Sequence, residues 1–196
     1  MTSHGIQWSG DTESKPAPGA LRRVQSLINT LDLESGQDRL AAVDDARPWL
    51  VDNGLLSPDA TPGPDVLRLI AGVREGLRAL VIHNSGGPVP DPATIAPLHE
   101  VSEGSPVRVV VDEHGGMALS AGDGSVGSRL LALLLIVKDA QLDGTWTHMK
   151  ACANDDCRWA FYDHSRNHGG TWCDMAACGN KLKNRDFRAR RRQPTG

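Results

Sequence analysis

Cys152-Ala-Asn-Asp-Asp-Cys157 and Cys173-Asp-Met-Ala-Ala-Cys178 contain all four cysteines of this 196-residue chain, with fifteen residues between the two pairs. Thiolates are soft donors, and four of them close a tetrahedral site with no position left for water or substrate. The spacing therefore predicts one structural Zn per chain, held by Cys152, Cys157, Cys173 and Cys178. His164 and His168 lie between the pairs as alternative ligands, although the cysteine set is complete without them. Clustered cysteines in a reducing compartment point to metal ligation rather than disulfides. Buried or redox-active thiols are the competing reading.

Between the pairs, Trp159 and Phe161 alternate with Ala160 and Tyr162 as on a strand. His168-Gly-Gly170 offers a turn and Thr171-Trp-Cys173 a return strand, and Asn180 to Gln193 reads as a helix. A knuckle, a hairpin and a helix starting at the last ligand resemble a treble-clef zinc finger. The aromatic residues either stack on bases or form a miniature core around the metal. At 100° per residue, Lys181, Arg185, Arg188 and Arg192 fall within about 60° of one another, as one basic stripe. Lys183, Arg190 and Arg191 lie off the stripe, placed for flanking phosphates. The stripe suits nucleic acid, an acidic protein partner or a solubilising surface.

Charge separates this end from the rest. The chain carries a formal −3, but residues 150–196 hold 10 Lys+Arg against 5 Asp+Glu, leaving 11 against 19 in residues 1–149. Four thiolates and one Zn²⁺ together add −2, so the end keeps about +3 with metal bound. An acidic body with a basic end implies that only the end meets a polyanion.

With 39% apolar residues the chain can build a core, so wholesale disorder is excluded. The longest apolar run, Leu130 to Val137, is far short of the roughly 20 residues of a membrane span. No signal peptide is evident at the start. The expected location is the cytoplasm, with no membrane partner.

Residues 1–19, rich in Ser, Gly, Pro and charge, read as a flexible tail. Residues 20–148 read as a mostly helical domain with a small β-hairpin, and 149–196 as the C-terminal treble-clef-like four-cysteine zinc finger with its basic helix. Leu21, Val24, Leu27, Ile28 and Leu31 recur at helical spacing. A second helix is expected near Asp38 to Val51, with Pro48 either starting its last turn or breaking it. Asp65 is the expected cap of a third helix carrying Val66, Leu69, Ile70, Val73, Leu77, Leu80 and Val81. Val107–Val111 and Met117–Ser120 read as strands joined by Glu113-His-Gly-Gly116. Ser128 to Gln141 closes the domain as an apolar helix.

The stretch from Cys152 through Cys157-x3-Phe161-x-Asp163-x-Ser165-Arg166-Asn167 to Trp172-Cys173-x-Met175-x2-Cys178-Gly179-Asn180-Lys181 resembles the CGNR-type zinc finger of bacterial proteins, whose members are regarded as transcription regulators. Lys181 stands where the namesake motif has arginine, which keeps the charge but loses a planar bidentate donor. The region upstream resembles the ABATE domain paired with this finger, through Asn29-Thr30, Asp38-Arg-Leu40, Trp49-Leu50 and Gly54-Leu55. The resemblance implies a stress-linked or ligand-responsive regulator. DNA is the expected partner, contacted by Arg166, Lys181, Lys183, Arg185, Arg188, Arg190, Arg191 and Arg192, and a homodimer and a small-molecule effector are compatible with it.

Two other functions compete: a protein-interaction adaptor that never touches DNA, and a redox or metal sensor whose oxidised thiols eject zinc. No enzyme is expected. The chain has no phosphate-cradling glycine motif, no His-Glu-x-x-His and no G-x-S-x-G elbow. Gly122 to Gly127 reads as a flexible loop, and Asp44 and Asp45 as a solvated helix face.

Overall fold

A computed structural model describes Trp8 and residues 13–181. In chain order the elements are α1 (Leu21–Ile28), the short strands β1 (Leu31–Asp32) and β2 (Gln37–Asp38), α2 (Val43–Asp52), α3 (Pro64–Asn84), α4 (Pro92–Gly104), β3 (Val107–Val111), β4 (Met117–Ala121) and α5 (Val126–Asp143). A 3₁₀ turn (Thr145–His148), β5 (Met149–Ala151), β6 (Ala160–Tyr162) and a π-type turn (Met175–Gly179) follow. The strands form three separate antiparallel pairs, β1–β2, β3–β4 and β5–β6. Mainly helical with small β-ribbons is the observed class.

The body is organised on α3, whose Leu67, Ile70, Val73, Leu77 and Val81 repeat at intervals of three and four and are all buried. That period places them on one stripe of the helix. They meet Val24, Leu27 and Ile28 of α1 and Leu130, Leu133 and Val137 of α5 in one core. Helix α4 lies close against α3 because Gly72 and Gly76 present no side chain. A Cβ at either would come within 2.8 Å of Pro97 or Leu98.

Several sequence expectations need correction. The helix expected from Asp38 starts only at Val43, and Asp38 lies in β2. There its carboxylate accepts from Arg74 Nη1 (2.6 Å) and Nη2 (3.0 Å), a bidentate pair that pins the ribbon to α3. Pro48 sits inside α2, which runs on to Asp52. Gly63, not Asp65, is the N-cap of α3, with Pro64 in its first turn, where a missing N–H costs nothing. Thr171 to Cys173 form no strand, and the partner of β6 is β5, which precedes the first cysteine.

Residues 13–17, expected to belong to a mobile tail, are seated. Lys15 O accepts from Tyr162 N (3.0 Å), and Gln25 Oε1 accepts from Ala17 N (2.5 Å). The segment runs along the free edge of β6, whose unpaired backbone groups need partners.

Candidate metal centre

The fifteen residues between the cysteine pairs hold β6, and β6 faces two ways. Side chains alternate across a strand, so Phe161 packs among the cysteines while Ala160 and Tyr162 join the core of the helical body. Trp159 and Trp172 pack on the cysteine side. The miniature-core reading of these aromatic residues holds for Phe161, which is 1% exposed and has no face open to a base.

All four cysteines are buried and unbridged. Their Sγ atoms lie within 4.8 Å of one another. Cys157 to Cys173 and Cys173 to Cys178 are each 3.7 Å apart. A disulfide requires about 2.05 Å. Four sulfurs about 2.3 Å from a tetrahedral Zn²⁺ stand about 3.8 Å apart. The donor set thus fits one zinc ion in number, chemistry and spacing, and the four thiolates close its coordination. His164 and His168 turn elsewhere, toward the carbonyls of Pro16 and Asp163.

The electrostatics agree. Hydrogen bonds from Cys157 and Cys173, aided by the backbone N–H groups of Cys173 and Asn154, pull the Cys152 thiol down to about 2. The same bond to Cys152 pushes Cys157 up to about 12, and Cys173 is raised for the same reason. Burial raises Cys178. Without a cation, one sulfur ionises at the expense of its neighbours; a divalent ion stabilises all four thiolates.

The local sequence shapes the cage. Asn154 O accepts from Cys157 N and Arg158 N (both 2.9 Å), closing the first knuckle, with Arg158 at φ 48°. Ala153 N donates to Thr171 O (3.0 Å), tying the first half to the second. In the second knuckle, Asp174 caps the π-type turn by accepting from Ala177 N (2.8 Å). The Met175 side chain lies against Gly179, in space that a Cβ there would share.

Buried amides and guanidinium groups of the body hold this cage. Asn29, at the end of α1, pairs with the peptide of Ala160 in both directions: Oδ1 accepts from Ala160 N (2.8 Å) and Nδ2 donates to Ala160 O (2.9 Å). Gln25 Nε2 donates to the same carbonyl (3.1 Å). Arg78 of α3 donates to Ile28 O (2.7 Å) and to Arg158 O (3.2 Å), joining α1 to the first knuckle. At the end of α3, Asn84 Nδ2 donates to Met149 O (3.2 Å) and Ser85 Oγ accepts from Ala151 N (2.8 Å). Ser14 Oγ reaches Cys173 O (3.1 Å), and the Lys15 ammonium lies 4.8 Å above the Phe161 ring. Sequence reasoning missed these anchors. Asn29 alone carried a signal, in the Asn29-Thr30 resemblance.

The metal ligands form one cluster. Of the residues assigned to DNA, two are described, Arg166 and Lys181. Arg166 is exposed on a turn organised by Asp163, whose carboxylate accepts from Ser165 Oγ (2.7 Å), Gly170 N (2.7 Å) and Lys150 Nζ (2.9 Å). Burial opposes ionisation of Asp163, but the bonds from Ser165 and Lys150 prevail and hold it below the usual carboxylate range. Lys181 is exposed and ion-paired to Glu34 of the β1–β2 loop. Lys183, Arg185, Arg188, Arg190, Arg191 and Arg192 lie outside the described residues.

Two family models match the chain: the CGNR zinc finger over residues 148–191, and ABATE, described as "Putative stress-induced transcription regulator", over residues 21–141. The ABATE match alone covers more than half of the chain. The protein belongs to the ABATE family. Its ABATE domain precedes the CGNR finger, in the order the residues suggested. No curated protein matches the chain in sequence. Within this ABATE protein, the Cys-Gly-Asn stretch at 178–180 supplies the fourth ligand and the glycine that admits Met175. Among the described residues, no helix is long and apolar enough to cross a membrane.

Proposed function

We propose that the protein is a zinc-dependent, DNA-binding transcription regulator and not an enzyme. One observation carries the reading: a closed four-cysteine centre is followed at once by the basic run Lys181 to Arg192, on the part of the chain with a positive balance. Zinc folds the finger, and the basic run with Arg166 neutralises phosphates and displaces condensed counterions. The Lys181–Glu34 pair is exposed on both sides. Solvent screens such a pair, so exchanging Glu34 for a phosphate costs little. The acidic body is repelled by the duplex, which orients the basic end toward it. The ABATE domain serves effector sensing or dimerisation.

The test is anisotropy titration of the full-length, zinc-loaded protein with a random-sequence duplex at several salt concentrations. Neutralising about five phosphates predicts a slope of log K against log salt near −4 to −5. A flat profile, or no binding at low salt, overturns the proposal and favours an adaptor for an acidic protein.

A further inference from the structure

Away from the metal, α1, the residue following β2 and the end of α2 enclose a cleft of about 240 Å³. Its walls bring together residues distant in sequence: Trp8, then Arg22 and Asn29 from the α1 segment, Arg39 after β2, and Trp49 and Asn53 at the end of α2. The lining is polar. Among the described residues it holds two guanidinium groups and two indoles, and the Arg39 guanidinium lies 4.7 Å from the centre of the Trp8 ring. Glu13 is set against this wall, where it accepts from Asn29 Nδ2 (2.9 Å) and feels the charge of Arg22. Burial raises Glu13 to about 7, so near neutrality it offsets Arg22 only in part.

Packing alone does not call for this composition. A helix face exposed to water needs no indoles, and an apolar seam needs no guanidinium groups. Two cations beside aromatic walls suit a ligand with an anionic end and a flat body. Arginine binds carboxylate or phosphate oxygens in a planar fork, and the indole faces stack on an unsaturated ring. A volume below the roughly 300–1,000 Å³ of drug-sized sites implies a small ligand.

We propose that this cleft binds a small organic anion, a carboxylate or phosphate ester on a planar unsaturated body, gripped by Arg22 and Arg39 and stacked on Trp49 and Trp8. Asn29 is at once a wall of the cleft and the clamp on Ala160 of β6, so the occupant sits one side chain from the strand that seats the zinc finger. This deepens the regulator reading by locating its effector site. The binding test stands whether or not the protein binds DNA.

The experiment titrates the full-length, zinc-loaded protein with benzoate, phenyl phosphate, inorganic phosphate and neutral benzamide, read by calorimetry and tryptophan fluorescence. At least one aromatic anion is expected to bind with a Kd of about a millimolar or tighter. Comparison of benzoate with phenyl phosphate identifies the preferred headgroup. Inorganic phosphate and benzamide should each bind at least about tenfold more weakly, as should the better anion to Arg39→Gln. Arg22→Gln changes an exposed residue and keeps the test valid if Arg39→Gln fails to fold; it too should weaken binding, with zinc content unchanged. Equal binding of benzamide, wild-type affinity in both arginine variants, or no binding of either aromatic anion overturns the proposal.

Discussion

The β3–β4 ribbon pairs five residues with five, four of them valines on the first strand, and leaves Val109, Val111 and Met117 at 64%, 62% and 77% exposure. The β5–β6 ribbon pairs only three with three, yet five of its six residues are buried. The longer and more apolar ribbon is the wet one. The difference lies in what reaches each ribbon from outside. Strand β6 is gripped by Asn29, Gln25 and the 15–17 segment along one edge and by β5 along the other. No comparable anchor from the helices holds β3 among the described residues. Burial follows from satisfied backbone groups and two-sided packing, not from apolar content alone.

The sharpest way to break the contrast is to remove the metal. Cys173→Ser, or chelation of the wild type, is expected to take zinc from one per chain to none. Structural zinc is worth about 10–16 kcal/mol in finger peptides, comparable with the roughly 5–15 kcal/mol that holds a whole domain. Because β6 belongs to both cores, the loss should spread into the helical body. Near-UV circular dichroism and metal analysis measure it; an intact body with a metal-free finger would refute the shared core.

Next in size is Asn29→Ala, which strands the N–H of Ala160 in the interior and leaves its C=O to Gln25 alone. An unsatisfied buried group costs about 1–3 kcal/mol, so a loss of about 2–3 kcal/mol is expected by urea denaturation. A change below about 0.5 kcal/mol would mean the amide clamp is not what seats the finger.

Glu13 touches the same clamp and gives a pH signature. Its folded pKa lies above its unfolded value, so its contribution to stability is greatest below about pH 4.5 and is lost as the pH rises through about 7. Glu13→Gln should therefore flatten stability between about pH 5 and 7 and raise it above neutrality. The expected gain is about 1–2 kcal/mol after discounting partial solvation. Thermal melts at pH 5 and pH 8 suffice, and an unchanged pH profile would show Glu13 to be solvated. The smallest effect belongs to the exposed ribbon. Val109→Thr should change stability by no more than about 0.5 kcal/mol in the same assay, as at other exposed sites.

Much of this was legible in the residues. The intervals of three and four in α1 and α3 and the apolar run of α5 announced helices, the valine run announced β3, and the cysteine spacing announced the cage. What stayed hidden was tertiary. Helix α4 carries prolines at 92 and 97 and gave no helical signal, although Asp91 caps it through Ala93 N (2.8 Å). Asp38 reads as helical because nothing local signals its pairing with Arg74, thirty-six residues away. The Asn29–Ala160 clamp spans 131 residues, and an asparagine in an amphipathic pattern looks like any solvated polar residue. The 13–17 segment reads as tail because several of its partners, Phe161, Tyr162 and Cys173, lie about 145 to 160 residues away, which composition does not encode. At the metal, the ligands were plain but their mounting was not.

Phe161 and its two neighbours have a consequence for protein engineering. A finger excised as a cassette would leave Ala160 and Tyr162 bare and the Ala160 peptide without its amide mates. Grafting it onto a foreign host would require transplanting the α1 glutamine and asparagine along with the sulfurs. The two family units in this chain are therefore one inseparable tertiary object, joined through a party wall three residues long.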